Sequence, residues 1–72
     1  MSSTQGSHFW LMTIEHRLNG QTTATGASGH WTPKDGQTRY DVFEELRTAI
    51  EERHPETRDG VVVAFDLQPN QL

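Results

Sequence analysis

The clearest pattern in the chain is helical and covers residues 38–54. Its apolar residues recur every three or four positions, as on one face of an α-helix: Val42, Phe43, Leu46, Ala49 and Ile50. The Thr38 hydroxyl can cap the first turn, and Asp41 stands where a carboxylate can reach back to the cap amide. Pro55 disfavours a helical conformation at His54. The pattern therefore predicts a capped helix over residues 38–54, whose charged outer face is that of an ordinary solvated helix.

Two strand-like segments precede this helix. Residues 8–18 begin as an apolar run and then alternate, whereas residues 21–31 are rich in threonine and small residues. Asn19-Gly20 lies between them, and both residues tolerate the positive φ of a two-residue type I′ turn, so the pattern predicts a hairpin. Its register sets large residues of the first strand opposite small residues of the second: Trp10 with Gly29, Met12 with Ala27 and Ile14 with Thr25.

A third strand is predicted over residues 61–67, which have the strongest β-forming composition in the chain. Strict alternation gives it two faces, one with Val61, Val63, Phe65 and Leu67 and the other with Val62, Ala64 and Asp66. The sequence leaves open which of these faces is buried. Two local features are also predicted, a type I turn over residues 33–36 or their neighbours and a bulge at Gly26 or Gly29.

The order β-β-α-β predicts an α+β fold, with a three-stranded antiparallel sheet and one helix packed on one face. The strand order 2-1-3 is favoured because it joins the two most apolar strands. The alternative places strand three beside strand two and would put a threonine- and glycine-rich strand at the centre. Residues 8–69 form the single predicted domain, flanked by a disordered tail over residues 1–7 and a C-terminal tail over residues 70–72.

One helix covers only one face of such a sheet, so the other face is open. The predicted interaction surface lies on this open face and consists of Phe9, Leu11, His30, Val62 and Ala64. An apolar patch on a small protein is typical of an interaction surface, and strand three adds a sheet edge with little protection. We therefore expect a homodimer or a protein partner, bound through the open face or the strand-three edge.

Composition narrows the range of functions. The chain has 72 residues, no cysteine and a net charge of −4, so it is one small domain without disulfides or thiolate ligands. No apolar run approaches the roughly 18 residues of a membrane span, and the N-terminus does not have the pattern of a signal peptide. We expect a soluble, cytoplasmic protein that does not interact with membranes.

Candidate catalytic chemistry is sparse. The four histidines, His8, His16, His30 and His54, lack the i, i+4 spacing of a helical metal site and are predicted to be surface or cap residues. Ser28 and His30 fall on one face of a strand, but no loop that could form an oxyanion hole accompanies them. The sequence therefore predicts a protein that is not an enzyme and binds no metal or cofactor.

The alternative function is that of a nucleic-acid-associated accessory protein. Phe9, His30 and Trp31 offer aromatic rings for base stacking on the open sheet face, as in sheet-platform RNA-binding proteins. The six basic residues are scattered along an acidic chain, and without clustered lysine and arginine such binding would be weak. The favoured function is therefore a small non-enzymatic protein-interaction or regulatory module.

Several segments of the chain also occur together elsewhere. They are Trp10 in an apolar first strand, Trp31-Thr32-Pro33, Gly36-Gln37-Thr38-Arg39 leading into Asp41-Val42-Phe43, and Leu67-Gln68-Pro69-Asn70 at the end. With these segments the chain resembles a set of short actinobacterial open reading frames of unknown function, some of them beside mobile-element genes, over nearly its whole length. The resemblance implies a bacterial cytoplasmic accessory protein. It implies no activity and assigns no functional residues.

Overall fold

A computed structural model describes residues 6–72 and confirms the predicted α+β fold. Its elements are two strands, a helix, a short 3-10 helix and a third strand: β1 His8–Leu18, β2 Gln21–Trp31, α1 Arg39–Arg53, the 3-10 helix Pro55–Thr57 and β3 Val61–Pro69. The sheet is antiparallel throughout and has the order β2-β1-β3. β1 is therefore the central strand, and α1 packs on one face of the sheet.

The hairpin between β1 and β2 forms as the sequence predicts. Asn19 and Gly20 have φ values of 54° and 79°, as a type I′ turn requires. From this turn the register runs without interruption from the pair Leu18 and Gln21 to the pair His8 and Trp31. The predicted bulge in β2 is therefore wrong. Gly29 is explained by a close approach instead, because a Cβ atom there would lie 3.3 Å from Nε1 of Trp10.

The register of the sheet is irregular in β3 rather than in β2. Thr13 pairs with Ala64, but the next residue of β1, Ile14, pairs with Val62, so that Val63 is left over as a bulge. The extra residue reverses the alternation along the strand. Val62 consequently lies on the helix side and packs against the core with Phe65 and Leu67. The strict alternation predicted for strand three, which set Val62 on the face opposite Phe65, is wrong at this point.

The helix begins with the predicted capping box. The Thr38 hydroxyl accepts a hydrogen bond from the amide of Asp41 at 3.1 Å, and the Asp41 carboxylate accepts one from the amide of Thr38 at 3.0 Å. At the other end, the amide of His54 still bonds the carbonyl oxygen of Ile50, and Pro55 then starts the 3-10 helix. The shorter carboxylate of aspartate thus completes the box in the place where glutamate is commoner.

Replacing Thr38 by alanine is expected to lower the free energy of unfolding by about 1 kcal/mol, because one first-turn amide loses its acceptor. Thr48→Ala is the matched control, since Thr48 is exposed within α1 and alanine is the better helix former. Thermal unfolding followed by circular dichroism should show a lower Tm for the first variant only. Equal Tm values would mean that the capping box contributes no net stability.

The core lies between α1 and the covered face of the sheet. Its buried apolar residues come from three elements: Met12 and Ile14 of β1, Val42, Leu46 and Ile50 of α1, and Leu67 of β3. Larger side chains, among them Trp10, Phe43 and Phe65, are partly buried around this cluster. Arg47 joins α1 to the start of β3, because its guanidinium donates to the carbonyl oxygen of Gly60 at 2.8 Å and to Glu51 at 3.0 Å.

The turn before the helix differs slightly from the predicted one. It spans residues 34–37, with a hydrogen bond of 2.9 Å from the amide of Gln37 to the carbonyl oxygen of Lys34. Gly36 occupies its third position with a φ of 80°, which is a type II turn rather than type I. The glycine is therefore needed for its left-handed conformation.

Two residues of the predicted N-terminal tail make contacts with the domain. The carbonyl oxygen of Ser7 accepts a hydrogen bond from the amide of Asn70 at 2.8 Å, and that of Gly6 accepts one from the Asn70 side chain at 3.1 Å. The amide of Ser7 also donates to the hydroxyl of Thr32. Gly6 and Ser7 thus link the ends of both outer strands, while the rest of that predicted tail, residues 1–5, lies outside the described residues. Among residues 6–72, no helix is long and apolar enough to cross a membrane.

Candidate interaction surface

The face of the sheet that α1 leaves uncovered is less apolar than predicted. Phe9 and Leu11 are 42% and 37% exposed, but polar residues flank them on both sides. His30 and Ser28 lie beside them on β2, and on β3 the neighbours are Gln68 and Asp66, whose side chains bond each other at 2.9 Å. Around Phe9 and Leu11 the apolar part of this open face is therefore a narrow stripe along β1, while Ala64 and Val61 of β3 lie farther along the same face, opposite Thr13 and Glu15.

The structure brings four of the five predicted surface residues together. Phe9, Leu11, His30 and Ala64 all lie on the open face, with Ala64 paired to Thr13 and exposed. Val62 does not belong to this group, because the bulge at Val63 turns it toward the helix. The sequence offered no means of locating that bulge, since three consecutive valines can supply an apolar side chain to either face.

His30 has a structural contact in addition to its place on the open face. Its Nδ1 atom accepts a hydrogen bond of 2.9 Å from the amide of Gly6, so the ring carries its proton on Nε2 when this bond is formed. A Cβ atom at Gly6 would lie 2.5 Å from the backbone of Trp31, which shows how closely the N-terminal segment lies against β2. His30 thus holds that segment in place.

The aliphatic side chains of the sheet with the largest exposed fractions lie on β3. Val61 and Val63 are 64% and 54% exposed, and β3 pairs with β1 alone, so its other edge is free of a neighbouring strand. One polar contact protects this edge: the Arg39 guanidinium donates to the carbonyl oxygen of Leu67 at 3.4 Å. The valine half of the strand has no such cover among the described residues.

An aromatic row continues the apolar surface from β3 onto the helix. The rings of Phe43 and Phe65 meet edge to face with centroids 5.1 Å apart, and Tyr40 stacks on Phe43 at 6.1 Å. Tyr40 is 67% exposed. We call these residues together the β3-edge surface, which consists of Tyr40, Phe43, Val61, Val63 and Phe65.

Tyr40 remains a neutral phenol in this surface. The hydrogen bond with Glu44 and the negative charge of the same carboxylate raise its pKa above the usual value, and Asp41 adds to the shift. The phenol therefore keeps its proton at every physiological pH and can donate a hydrogen bond while its ring lies against Phe43.

The structure buries one histidine that the sequence placed on the surface. His16 is almost fully buried near the hairpin turn, on the side of the sheet where the 3-10 helix Pro55–Thr57 approaches β1. Its Nε2 atom shares a hydrogen bond of 2.8 Å with the hydroxyl of Thr25, whereas Nδ1 is buried without a partner. Alternation along β1 does put His16 on the same face as Ile14, but the 3-10 helix Pro55–Thr57 that approaches it has no apolar residue that would predict this cover.

A Thr25→Val substitution is expected to destabilise the protein by about 1–3 kcal/mol, because it removes the one hydrogen bond of a buried imidazole. Adding His16→Leu should recover at least part of this loss, since the double variant leaves no unsatisfied ring nitrogen. Urea denaturation of the wild type, the two single variants and the double variant gives the coupling free energy. Additive losses would show that the pair does not stabilise the fold as a unit.

The other candidate groups of the sequence are dispersed. His8 and His30 lie on opposite faces of the sheet, and within residues 6–72 no three histidine, aspartate or glutamate side chains are grouped to hold a metal ion. The three rings considered for base stacking are also divided. Phe9 and His30 share the open face, but Trp31 pairs with His8 on the helix side and packs against the core. The predicted three-ring platform is therefore wrong.

Comparisons of the chain with protein-family models, with curated proteins and with solved structures each found no match.

Proposed function

We propose that this protein is a small non-enzymatic interaction module that forms a homodimer through the β3-edge surface. The observation that carries the proposal is the coincidence of exposed apolar side chains with a free sheet edge at Val61 and Val63. A free edge presents unpaired backbone donors and acceptors, and soluble proteins normally protect such edges with charges, prolines or a covering segment. Among residues 6–72, the valine half of β3 has no charge, proline or covering segment. Its bulge at Val63 is also a device that disrupts edge pairing, but here the bulge leaves the Val63 side chain exposed.

A second copy fits this edge by symmetry. Two β3 strands that pair antiparallel about a two-fold axis would join the sheets into one of six strands, because each copy contributes three. Both helices would then lie on the same side, and each copy would offer the same patch to the other. The aromatic row of Tyr40, Phe43 and Phe65 would enlarge the contact toward the roughly 800 Å² per partner that stable interfaces bury.

The β3-edge surface is a better candidate for the dimer contact than the open sheet face. On the open face, Phe9 and Leu11 are separated from other apolar residues by polar neighbours on both adjoining strands. Along β3 the only charged residue is Asp66, which belongs to the open face beside Leu11. The division of Phe9 and Trp31 between opposite faces favours a protein partner over a nucleic acid.

The proposal is tested by measuring molar mass with light scattering during size-exclusion chromatography. The wild type should approach twice the chain mass of 8.2 kDa as its concentration rises. Val63→Lys places a charge at the centre of the edge and should weaken the dimer at least about 30-fold. Thr22→Lys, on the exposed outer strand β2, adds the same charge and should leave the dimer unchanged.

Two results would contradict this assignment. A wild-type protein that stays monomeric at millimolar concentration does not self-associate in the proposed way. If the Val63→Lys variant dimerises as strongly as the wild type, the dimer contact lies elsewhere on the molecule. Because Val63 is exposed and lies in a bulge, the substitution should leave the fold of the monomer intact.

A further inference from the structure

A groove runs between α1 and β2 on the helix side of the sheet, away from the β3-edge surface. It exists because β2 contributes the small residues Ala27 and Gly29 at this point, which leave space that larger side chains would fill. Its volume is about 370 Å³, within the range of small-molecule sites. We call it the α1–β2 groove and define it by Trp10, Gly29, Trp31, Ala49 and Arg53.

The lining of this groove is apolar and aromatic. Trp10 lies against Gly29, since a Cβ atom on that glycine would be 3.3–3.5 Å from the indole. Trp31 adds a second indole, and the helix contributes Ala49, which is exposed although it belongs to the apolar pattern of α1. The Trp10 indole covers Gly29 and the Trp31 indole also lines the groove, so a flat ring bound there gains from stacking on an indole as well as from burial.

Arg53 carries the permanent charge among the residues that line the groove, although the chain as a whole carries −4. Glu44, Glu45 and Glu52 lie outside the groove, in the next surface depression beside Trp31 and Ala49. No carboxylate of residues 6–72 lines the groove. His54 is paired with Glu56 at 3.6 Å, and Nδ1 of His30 already accepts from Gly6. Arg53 is the rim cation that makes no ion pair with any described residue, so it is available to an anionic ligand.

One lining residue also carries an unused donor. The indole N–H of Trp31 is buried and finds no acceptor among residues 6–72, and leaving a buried donor unpaired costs about 1–3 kcal/mol. Tryptophan can only donate at this atom. This donor is itself buried, so an acceptor oxygen of a ligand would meet Arg53 at the rim of the groove rather than the Trp31 indole N–H.

From these observations we propose that the α1–β2 groove binds a small aromatic monocarboxylate, with its ring against the Trp10 and Trp31 indoles and its carboxylate paired with Arg53. The two parts of the ligand match the two parts of the site, an apolar aromatic interior and a single free cation at the rim. The proposal concerns a different surface from the proposed dimer contact and does not depend on it.

Naphthalene-1-carboxylate is the probe, with naphthalene-1-methanol and naphthalene-1-methylamine as neutral and cationic comparators of similar shape. The chain has two tryptophans, and both line the groove, so the indole N–H signals in a proton–nitrogen correlation NMR spectrum report binding directly. We expect saturable shifts of these signals with a dissociation constant in the millimolar range or tighter. The carboxylate should bind about threefold to tenfold more tightly than the alcohol, and the amine should bind least.

Two variants and a matched control locate the site. Arg53→Gln should reduce the affinity for the carboxylate to that for the alcohol, whereas Arg58→Gln, which removes an exposed charge outside the groove, should not change it. Ala49→Leu should abolish binding of all three probes by filling the groove. Leucine is a good helix former at this exposed position, and far-ultraviolet circular dichroism verifies that the variant is folded. Val63→Lys should bind the probe like the wild type, which separates this test from that of the dimer.

The proposal is overturned by any of three results. One is the absence of a saturable shift of the indole signals at millimolar probe. Another is equal affinity for the carboxylate, the alcohol and the amine. The third is an Arg53→Gln variant that binds the carboxylate as tightly as Arg58→Gln does, which would mean that the rim cation takes no part in recognition.

Discussion

An Ile14→Ala variant is expected to lose about 2–5 kcal/mol of unfolding free energy, the range for deleting a fully buried aliphatic side chain. Ile14 has no exposed surface and lies at the centre of the core beside Met12. A single core in a domain of this length supplies only about 3–5 kcal/mol, and the chain has no cysteine to add a disulfide. The loss is therefore comparable to the whole stability of the protein.

Circular dichroism during heating and in urea measures this effect. Leu18→Ala is the control in the same strand, because Leu18 is half exposed next to the hairpin turn and its truncation should cost less than about 0.5 kcal/mol. We expect a largely unfolded Ile14→Ala variant at room temperature and a Leu18→Ala variant close to the wild type. A cooperative transition near the wild-type Tm for Ile14→Ala would show that the core does not depend on this side chain.

A Gly60→Ala substitution is expected to cost about 1–3 kcal/mol through overpacking, although it adds a single methyl group in a loop. The new Cβ atom would lie 2.6 Å from Cγ2 of Ile14 and 2.8 Å from the carbonyl oxygen of Glu15. A third neighbour, the carbonyl oxygen of Thr57, would be 3.1 Å away. Two of these atoms belong to the backbone, so a side-chain rotation cannot relieve the contact.

Gly26→Ala is the matched control for this effect. Gly26 lies in β2, where the nearest atom to an added Cβ would be the Thr13 hydroxyl oxygen at 3.8 Å, an ordinary van der Waals distance. Alanine there should be neutral or stabilise the strand by up to about 1 kcal/mol. Urea denaturation should show that the two substitutions change the free energy of unfolding in opposite directions, or by clearly different amounts. Similar losses at Gly60 and Gly26 would mean that crowding around the added methyl group is not the cause of the loss at Gly60.

Much of the fold follows from local patterns in the sequence. Asn19-Gly20 determines the hairpin and its register, and the apolar spacing from Val42 to Ile50 determines the buried face of α1. The strand order follows from the same reasoning, because a threonine- and glycine-rich strand is better placed at an edge than at the centre. These features are predictable because a few neighbouring residues fix each of them.

The bulge in β3 could not be predicted from local sequence patterns. Val61, Val62 and Val63 are identical, so the sequence does not show which of them shares a strand face with Phe65 and Leu67. What selects the observed register is the packing of Phe65 and Leu67 against α1 together with the pairing of Glu15 with Val61. Both are contacts between residues far apart in the sequence. Phe9, Leu11, His30 and Ala64 therefore lie on the open face as predicted, whereas Val62 does not. Whether these residues form an interaction surface stays a prediction.

The α1–β2 groove was missed for a related reason. Because Gly29 and Ala27 are small, they would leave room for a helix that lies directly across the hairpin. The helix instead packs mainly over β1 and β3, as the contacts of Phe43 with Phe65 and of Arg47 with Gly60 show. Ala49 consequently remains exposed. The lateral position of a helix on a sheet depends on side-chain volumes from several elements, which the hydrophobic pattern of one helix does not contain.

The central position of β1 has a consequence for the newly made chain. Its first partner, β2, follows after a two-residue turn, so the hairpin can close early in translation. Its second edge has no partner until α1 and then all of β3 have left the ribosome. Until then Met12 and Ile14 remain uncovered on a strand that is paired at one edge only. Nascent hairpins of this kind expose apolar surface to their neighbours on a polysome. The apolar surface of β1 is therefore most exposed during the interval between the completion of β2 and the completion of β3.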